Sequence, residues 1–302
     1  MGFISCLADP DVWLRPASKT DGYQYYEYVL VYVNDVLALS HQGHMIMKGL
    51  EDFYRLKDGY HKPDLYLGAE VKEWIFLDQP TTKYWALFSS RYVKEAIKNV
   101  ASKLQEQERK QRKSHQPMAS NYHPELYITP YLEGDKITYY QSQISILRWM
   151  VGLGRLDIYT PVTLLSSYLT QPRQGHLEAI YIIYQYLKFH DRSTTVFDAS
   201  YVQWNDNNFT SYDWRDFYQD VTEDIPSNAP EPRRKFVQIN AFIDANHAGY
   251  ILTRRLHTGI LIYLNRAPIT WYSKAKKTVE SSTFGSEFIL LRIATKKIKA
   301  LR

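Results

Sequence analysis

The chain has 302 residues, 45% of them hydrophobic, enough to bury a sizeable core in two or three domains. A single cysteine, Cys6, excludes an intramolecular disulfide framework and a cysteine-based zinc site, and fits an intracellular setting. The net charge of +5 suits a polyanionic partner without requiring one, and 26 tyrosines point to an aromatic surface or interface. No apolar run reaches the roughly 20 residues of a membrane span; Ile144 to Gly154 is interrupted by Arg148. Met1 to Pro10 lacks the basic start and apolar core of a signal peptide, so a soluble intracellular chain is expected.

In chain order, Ala8 to Pro16 reads as a turn leading into a short strand, and Lys19-Thr20-Asp21-Gly22 as a turn. Tyr28 to Leu39 is two β-branched, aliphatic and aromatic runs around one polar pair, which predicts a hairpin with Asn34-Asp35 at its tip. Met47, Leu50, Phe53 and Tyr54 recur at helical spacing, predicting an amphipathic helix over 44–56, with Lys57 in its last turn and Gly59 ending it. Asp64 to Val71 reads as a strand returning through Trp85 to Phe88. Val93, Ala96, Ile97, Val100 and Leu104 predict a helix over 91–104, running into the charged stretch Gln105 to Lys113.

A Pro-containing, Tyr-rich segment from Gln116 to Asp135 marks a boundary. Three helices are then expected between Thr138 and Asp191, the second with Thr160 as N-cap and Pro161 at the first helical position. His176 and His190 are too isolated to be metal ligands. Residues 199–235 are polar and Pro-rich, an irregular connector. Val237 to Asp244, Thr258 to Leu264 and Ala267 to Ser273 predict three strands, the last two joined at Asn265-Arg266, followed by a helix from about Ser281. On that helix Glu287 falls beside the apolar face of Phe284, Phe288, Leu291 and Ile298.

Asp35 on a hairpin, and Asp244 at a strand end with Glu287 on a following helix, are two ways to present carboxylates to metal ions. Phosphoryl-transfer enzymes that use two hard cations need several such oxygens converging from different elements.

The words around these acids resemble copia-type LTR retrotransposon Pol polyproteins, in order along nearly the whole chain. Ala8-Asp9-Pro10-Asp11-Val12-Trp13, Tyr26 to Asp35 and Tyr66-Leu67-Gly68 are similar to the reverse transcriptase. Arg155-Leu156-Asp157-Ile158, Leu164 to Tyr168, His176 to Ala179 and Tyr186-Leu187-Lys188 are similar to the helical segment that follows it. Asp244 to Gly249, Thr253 to Gly259, Pro268 to Lys274 and Ser281-Ser282-Thr283 through Glu287 are similar to the ribonuclease H domain.

The resemblance implies an α+β fold: a partial reverse-transcriptase palm with hairpins and helices (1–118), a helical thumb or connection subdomain (119–198), the connector (199–235), and a truncated ribonuclease H-like sheet with one helix (236–302). It implies Asp35, Asp244 and Glu287 as catalytic metal ligands for Mg2+ or Mn2+. Tyr32 and Lys57 would lie near the substrate, and Tyr66, Leu67 and Gly68 would hold the primer end. Arg254, Arg255, Lys274, Lys276 and Lys277 would contact the backbone of an RNA–DNA hybrid or template-primer.

This sequence also departs from the family. The first aspartate of the palm hairpin is Asn34, which keeps one oxygen but loses a charge that would offset divalent cations. The upstream palm aspartate would precede Met1, and two further ribonuclease H acids would follow Arg302. The expectation is therefore a fragment or decayed copy with weak or absent metal binding and no polymerase or ribonuclease H activity on its own. It would be cytoplasmic with nuclear access left open, and a partner for an intact polyprotein copy. The alternatives are a non-catalytic nucleic-acid-binding remnant and an unstable product of a broken reading frame.

Overall fold

Alternation along 24–32 builds the first sheet: odd positions of the strand include the buried Glu27 and Val29, even positions the exposed Tyr28 and Tyr32. The computed structural model describes all residues except 8, 58, 107, 109–112, 205–212, 214, 222–226, 228, 234, 247–248, 277–278 and 302. Among those described it is a mixed α+β fold of seven helices and three antiparallel sheets, divided into two units.

The first unit comprises Met1–Pro63 and Tyr201–Val237. Its sheet runs in the order β1 (Ile4–Ser5), β2 (Val12–Ser18), β3 (Gln24–Tyr32), β4 (Asp35–Leu39), with α1 (Gly43–Glu51) packed back on β4. The Lys19–Gly22 turn forms as expected, the Lys19 amide donating to the Tyr23 carbonyl at 2.8 Å. Arg15 and Glu27 face each other across β2 and β3; Arg15 Nε and Nη2 donate to Glu27 Oε2 at 2.9 and 2.5 Å, and the Ser40 hydroxyl donates to Oε1 at 2.5 Å. Burial alone would raise the Glu27 carboxyl, but Ser40, Arg15 and Tyr25 hold it below its ordinary value.

Helix α1 stops five residues before the predicted end at 56. Phe53 and Tyr54, expected on its apolar stripe, are exposed beyond it, and Ile46 is its buried residue. Lys48, not Lys57, is the cation of the last turn. A four-residue helix, α6 (Arg215–Tyr218), lies in the 199–235 connector, much of whose remainder falls outside the described residues.

The second unit comprises Asp64–Ser200 and Gln238–Arg302. One sheet has the order β5 (Leu65–Tyr66), β6 (Ala69–Trp74), β7 (Tyr84–Phe88), β8 (Thr194–Phe197). The single strand expected over 64–71 is a tight hairpin: Leu67 and Gly68 both have positive φ, 52° and 87°, and reverse the chain. Gly68 adopts that conformation without strain, and Leu67 does so with its carbonyl accepting a hydrogen bond from Trp149 Nε1 at 3.2 Å.

The core is helical. The stripe Val93, Ala96, Val100 and Leu104 buries α2 (Ser90–Glu106) against α3 (Asp135–Gly152) and α5 (Gln174–Phe189), and α4 (Tyr159–Ser166) packs on those two in the same core. Several residues of the charged stretch, 107 and 109–112, lie outside the described residues. Helix α4 begins before Thr160, because the 3-10 turn Leu156–Ile158 runs directly into it, so Thr160 and Pro161 sit inside its first turn. His176 is a buried structural histidine: the Arg173 amide donates to its Nδ1 at 2.9 Å, Nε2 lies 3.0 Å from the Pro124 carbonyl oxygen, and the ring stacks on Tyr168.

The third sheet has the order β11 (Ala267–Ala275), β10 (His257–Leu264), β9 (Ile239–Asn246). Helix α7 (Thr283–Leu301) covers one face, Leu290 and Ala294 packing with Ile260, Ile262, Ile243 and Ala245. The other face turns toward α4.

Candidate functional site

In the first unit, Asp35 opens β4 directly opposite Tyr32, and both side chains are exposed on one face of the sheet. The tip residues are Val33 and Asn34, so the predicted tip is displaced by one and Asp35 belongs to the strand. Val33 takes φ 52°, a left-handed conformation that a β-branched side chain tolerates poorly. Lys57 is exposed, in a turn six residues beyond the α1 terminus.

In the second unit, Tyr66, Leu67 and Gly68 form the β5–β6 reversal. It is pinned to α3 through Trp149, and a Cβ at Gly68 would stand 3.4 Å from the Tyr92 ring of α2. Sequence reasoning missed Trp149 and Tyr92 as the supports of this turn; both contacts are long-range and carry no local signal.

The strand alternation decides the fate of the Asp244/Glu287 pair. Strand β9 runs two residues past Asp244, which pairs with Gly259. Its neighbours Ile243 and Ala245 pack toward α7, so Asp244 projects from the opposite face. Glu287 is exposed on α7, the helix covering the far side.

Asp244 instead lines a cleft of about 780 Å³ between the sheet and α4, with Asn246, His257, Trp271 and Ser273 from the strands and Tyr159 opposite them. His257 Nε2 lies 2.6 Å from Ser273 Oγ, while Nδ1 is buried with no hydrogen-bond partner among the described residues. Burial pushes the imidazole down to about 4, so it is neutral at pH 7. At the cleft rim Glu125 Oε1 accepts from the Ile251 amide at 3.0 Å and lies 3.1 Å from His123 Nδ1.

Among the described residues the side chains near Asp244 do not supply the oxygens of a two-metal centre. Hard cations require several converging oxygens, and among the described residues no group of three or more His, Cys, Asp or Glu side chains assembles. The cleft brings one predicted ligand, Asp244, beside a neutral histidine already engaged with serine.

The basic residues are distributed differently. Arg254, with φ 53°, and Arg255 are exposed in the loop between β9 and β10, the Arg254 amide donating to the Tyr250 carbonyl at 2.7 Å. The Lys276 amide donates to the Leu256 carbonyl at 2.9 Å, which sets Lys276 opposite Leu256. Lys274 is exposed on the α7-side face of β11. Lys277, like His247 and Ala248 of the Asp244 word, lies outside the described residues. Lys297 of α7, not anticipated from sequence, reaches the same place, its Nζ 4.6 Å from the Tyr272 ring centroid.

No family model matches the chain, and no solved structure matches it. Three curated proteins are similar to it. A putative transposon Ty5-1 protein of Saccharomyces cerevisiae is 30% identical over 164 residues, 53% of this chain and 48% of that protein. The retrovirus-related Pol polyprotein from transposon TNT 1-94 of Nicotiana tabacum is 22% identical over 291 residues, 95% of this chain and 18% of that protein. A secreted RxLR effector protein 161 of Plasmopara viticola is 22% identical over 158 residues, 52% of this chain and 87% of that protein. The chain thus spans less than half the length of the two transposon proteins it matches. The similarity supports, at low identity, a retrotransposon Pol-like origin for this chain.

Proposed function

We propose that this chain derives from the reverse transcriptase and ribonuclease H part of a copia-type Pol polyprotein, and that on its own it performs neither reaction. The ancestral chemistry would be two-metal phosphoryl transfer on RNA–DNA hybrids, with Mg2+ or Mn2+ held by Asp35 in one half and by Asp244 and Glu287 in the other. Support for the origin comes from the match to a Pol polyprotein over 95% of the chain. The observation that carries the inactivity is the placement of Asp244 and Glu287 on opposite sides of one sheet. Asn34 adds to it, because an amide beside Asp35 supplies less negative charge than two divalent ions need. By resemblance, residues 1–118 would take a palm-like role, 119–198 a thumb-like role and 236–302 a ribonuclease H-like role.

A second reading, a nucleic-acid-binding remnant without chemistry, is favoured by the lysines gathered around Tyr272. Both readings place the chain in the cytoplasm with RNA–DNA hybrid or an intact polyprotein copy as partner. The deciding experiment incubates the purified chain with a primed RNA template and with an RNA–DNA hybrid, each with Mg2+ and with Mn2+. The expected result is hybrid binding that weakens as salt rises, with no extension and no cleavage. Extension lost in Asp35→Asn, or cleavage lost in Asp244→Asn, would overturn the inactive reading.

A further inference from the structure

Two ammonium groups converge on one aromatic ring where β11 meets α7. Lys297 Nζ stands 4.6 Å and Lys276 Nζ 5.6 Å from the centroid of Tyr272. Lys274 follows Tyr272 by two residues on β11, so it lies on the same face of the strand. Among the described residues none of the three lysines is joined to a carboxylate by an ion pair. Burial, and after it the charges of Lys274 and Lys297, hold the Lys276 ammonium below its ordinary value. The ring's negative face offsets part of this repulsion, but like charges held close on a strand end and a helix remain unfavourable until an anion joins them.

We propose that Lys276 and Lys297, with Lys274 beside them, hold one phosphodiester of a nucleic-acid strand against the edge of Tyr272 at the β11–α7 junction. The Tyr272 face is occupied by the two cations, so the site takes backbone phosphate rather than a stacked base. The Lys276 amide donates to the Leu256 carbonyl, and Lys297 sits within α7. Tyr272 packs with the apolar cluster beneath α7 and also borders the cleft that holds Asp244. That the phosphate belongs to nucleic acid rests on the function proposed above; that the site takes phosphate does not.

The test has two arms. Pyrophosphate is titrated into the ring-labelled full chain, the Tyr272 signal being identified by its loss in Tyr272→Phe. The signal should shift in the parent and in Lys297→Arg, and stay unmoved in Lys276→Gln and Lys297→Gln; a parent signal that pyrophosphate leaves in place overturns the site. In the second arm a short labelled RNA–DNA hybrid is bound at several salt concentrations. Each glutamine variant should lower the slope of log affinity against log salt by about 0.7 to 0.9 and weaken binding about threefold at moderate salt. Slopes equal to the parent's overturn the hybrid contact while leaving the proposed function standing. A parent that shifts with pyrophosphate yet binds no hybrid overturns the nucleic-acid assignment, and with it the reading of the chain as a nucleic-acid-binding remnant.

Discussion

Asp244 and Glu287 stand on opposite sides of the β9–β10–β11 sheet, Asp244 in the cleft beside His257 and Glu287 on the helix packed against the other face. A divalent ion bridged by both would have to pull one of them around the strand edge. Mg2+ or Mn2+ in excess should therefore leave the thermal unfolding midpoint of the parent unmoved, and that of Asp244→Asn likewise, since an ion that does not bind the native state cannot stabilise it. A Mg2+-dependent rise in the parent, lost in Asp244→Asn and in Glu287→Gln, would show that the two carboxylates close on one ion in solution.

His257 makes the second unit sensitive to acid. Burial lowers its folded-state value to about 4, below the ordinary 6.5 of an unfolded histidine. Between those two values the unfolded chain binds a proton that the native chain refuses, so stability falls as pH drops through that window. The loss should total about 3 kcal/mol by pH 4. Replacing His257 by Gln keeps a polar partner for Ser273 and removes the titration. Urea unfolding midpoints should then decline less steeply from pH 6.5 to 4 in His257→Gln than in the parent; parallel declines would place the acid sensitivity elsewhere. Glu27 acts in the same direction at lower pH, because its carboxyl is held below 4.5 and its contribution is lost as pH falls through that depressed value.

Regular periodicity was legible and long-range support was not. The α2 stripe and the β10–β11 hairpin around Asn265-Arg266 follow from spacing alone, and both form where the pattern places them. The turn at Leu67-Gly68 was hidden inside an apolar run, because Trp149, 82 residues away, anchors it. Strand β8 went unread because four residues, Thr194–Phe197, become a strand only by pairing with β7 across more than a hundred residues. At the candidate site, alternation alone puts Asp244 opposite Ile243, whereas which face α7 covers is a packing fact. The meeting of Lys276 and Lys297 on Tyr272 likewise depends on how the helix returns over the sheet.

Val33 stores strain at the hairpin tip. A β-branched residue at φ 52° costs about 1–3 kcal/mol, while glycine there costs about 0.5–1 kcal/mol more in unfolded-chain entropy. Val33→Gly should therefore stabilise the hairpin by about 1 kcal/mol net, slowing amide exchange at Tyr32 and Asp35, the pair that closes the tip, about fivefold. The Val33 side chain is exposed, so little packing is lost to oppose the gain. Faster exchange at those two amides would mean that the side chain holds the tip through contacts made in solution.

The Trp149 indole sets the conformation of the β5–β6 turn. Its Nε1 donates to the Leu67 carbonyl at 3.2 Å, and Leu67 is the non-glycine residue of that turn with positive φ. Trp149→Phe keeps an aromatic ring against the turn but removes the donor, at a cost of about 1 kcal/mol. Gly68→Ala acts on the partner residue. It places a Cβ 3.4 Å from the Tyr92 ring at φ 87°, so strain is added even where space is nearly sufficient. Its cost should be about 1–3 kcal/mol. Both changes distort one reversal, so the double variant should lose less than the sum of the single losses in urea unfolding free energy. Strict additivity would show that Trp149 stabilises α3 without positioning the Tyr66-Leu67-Gly68 turn.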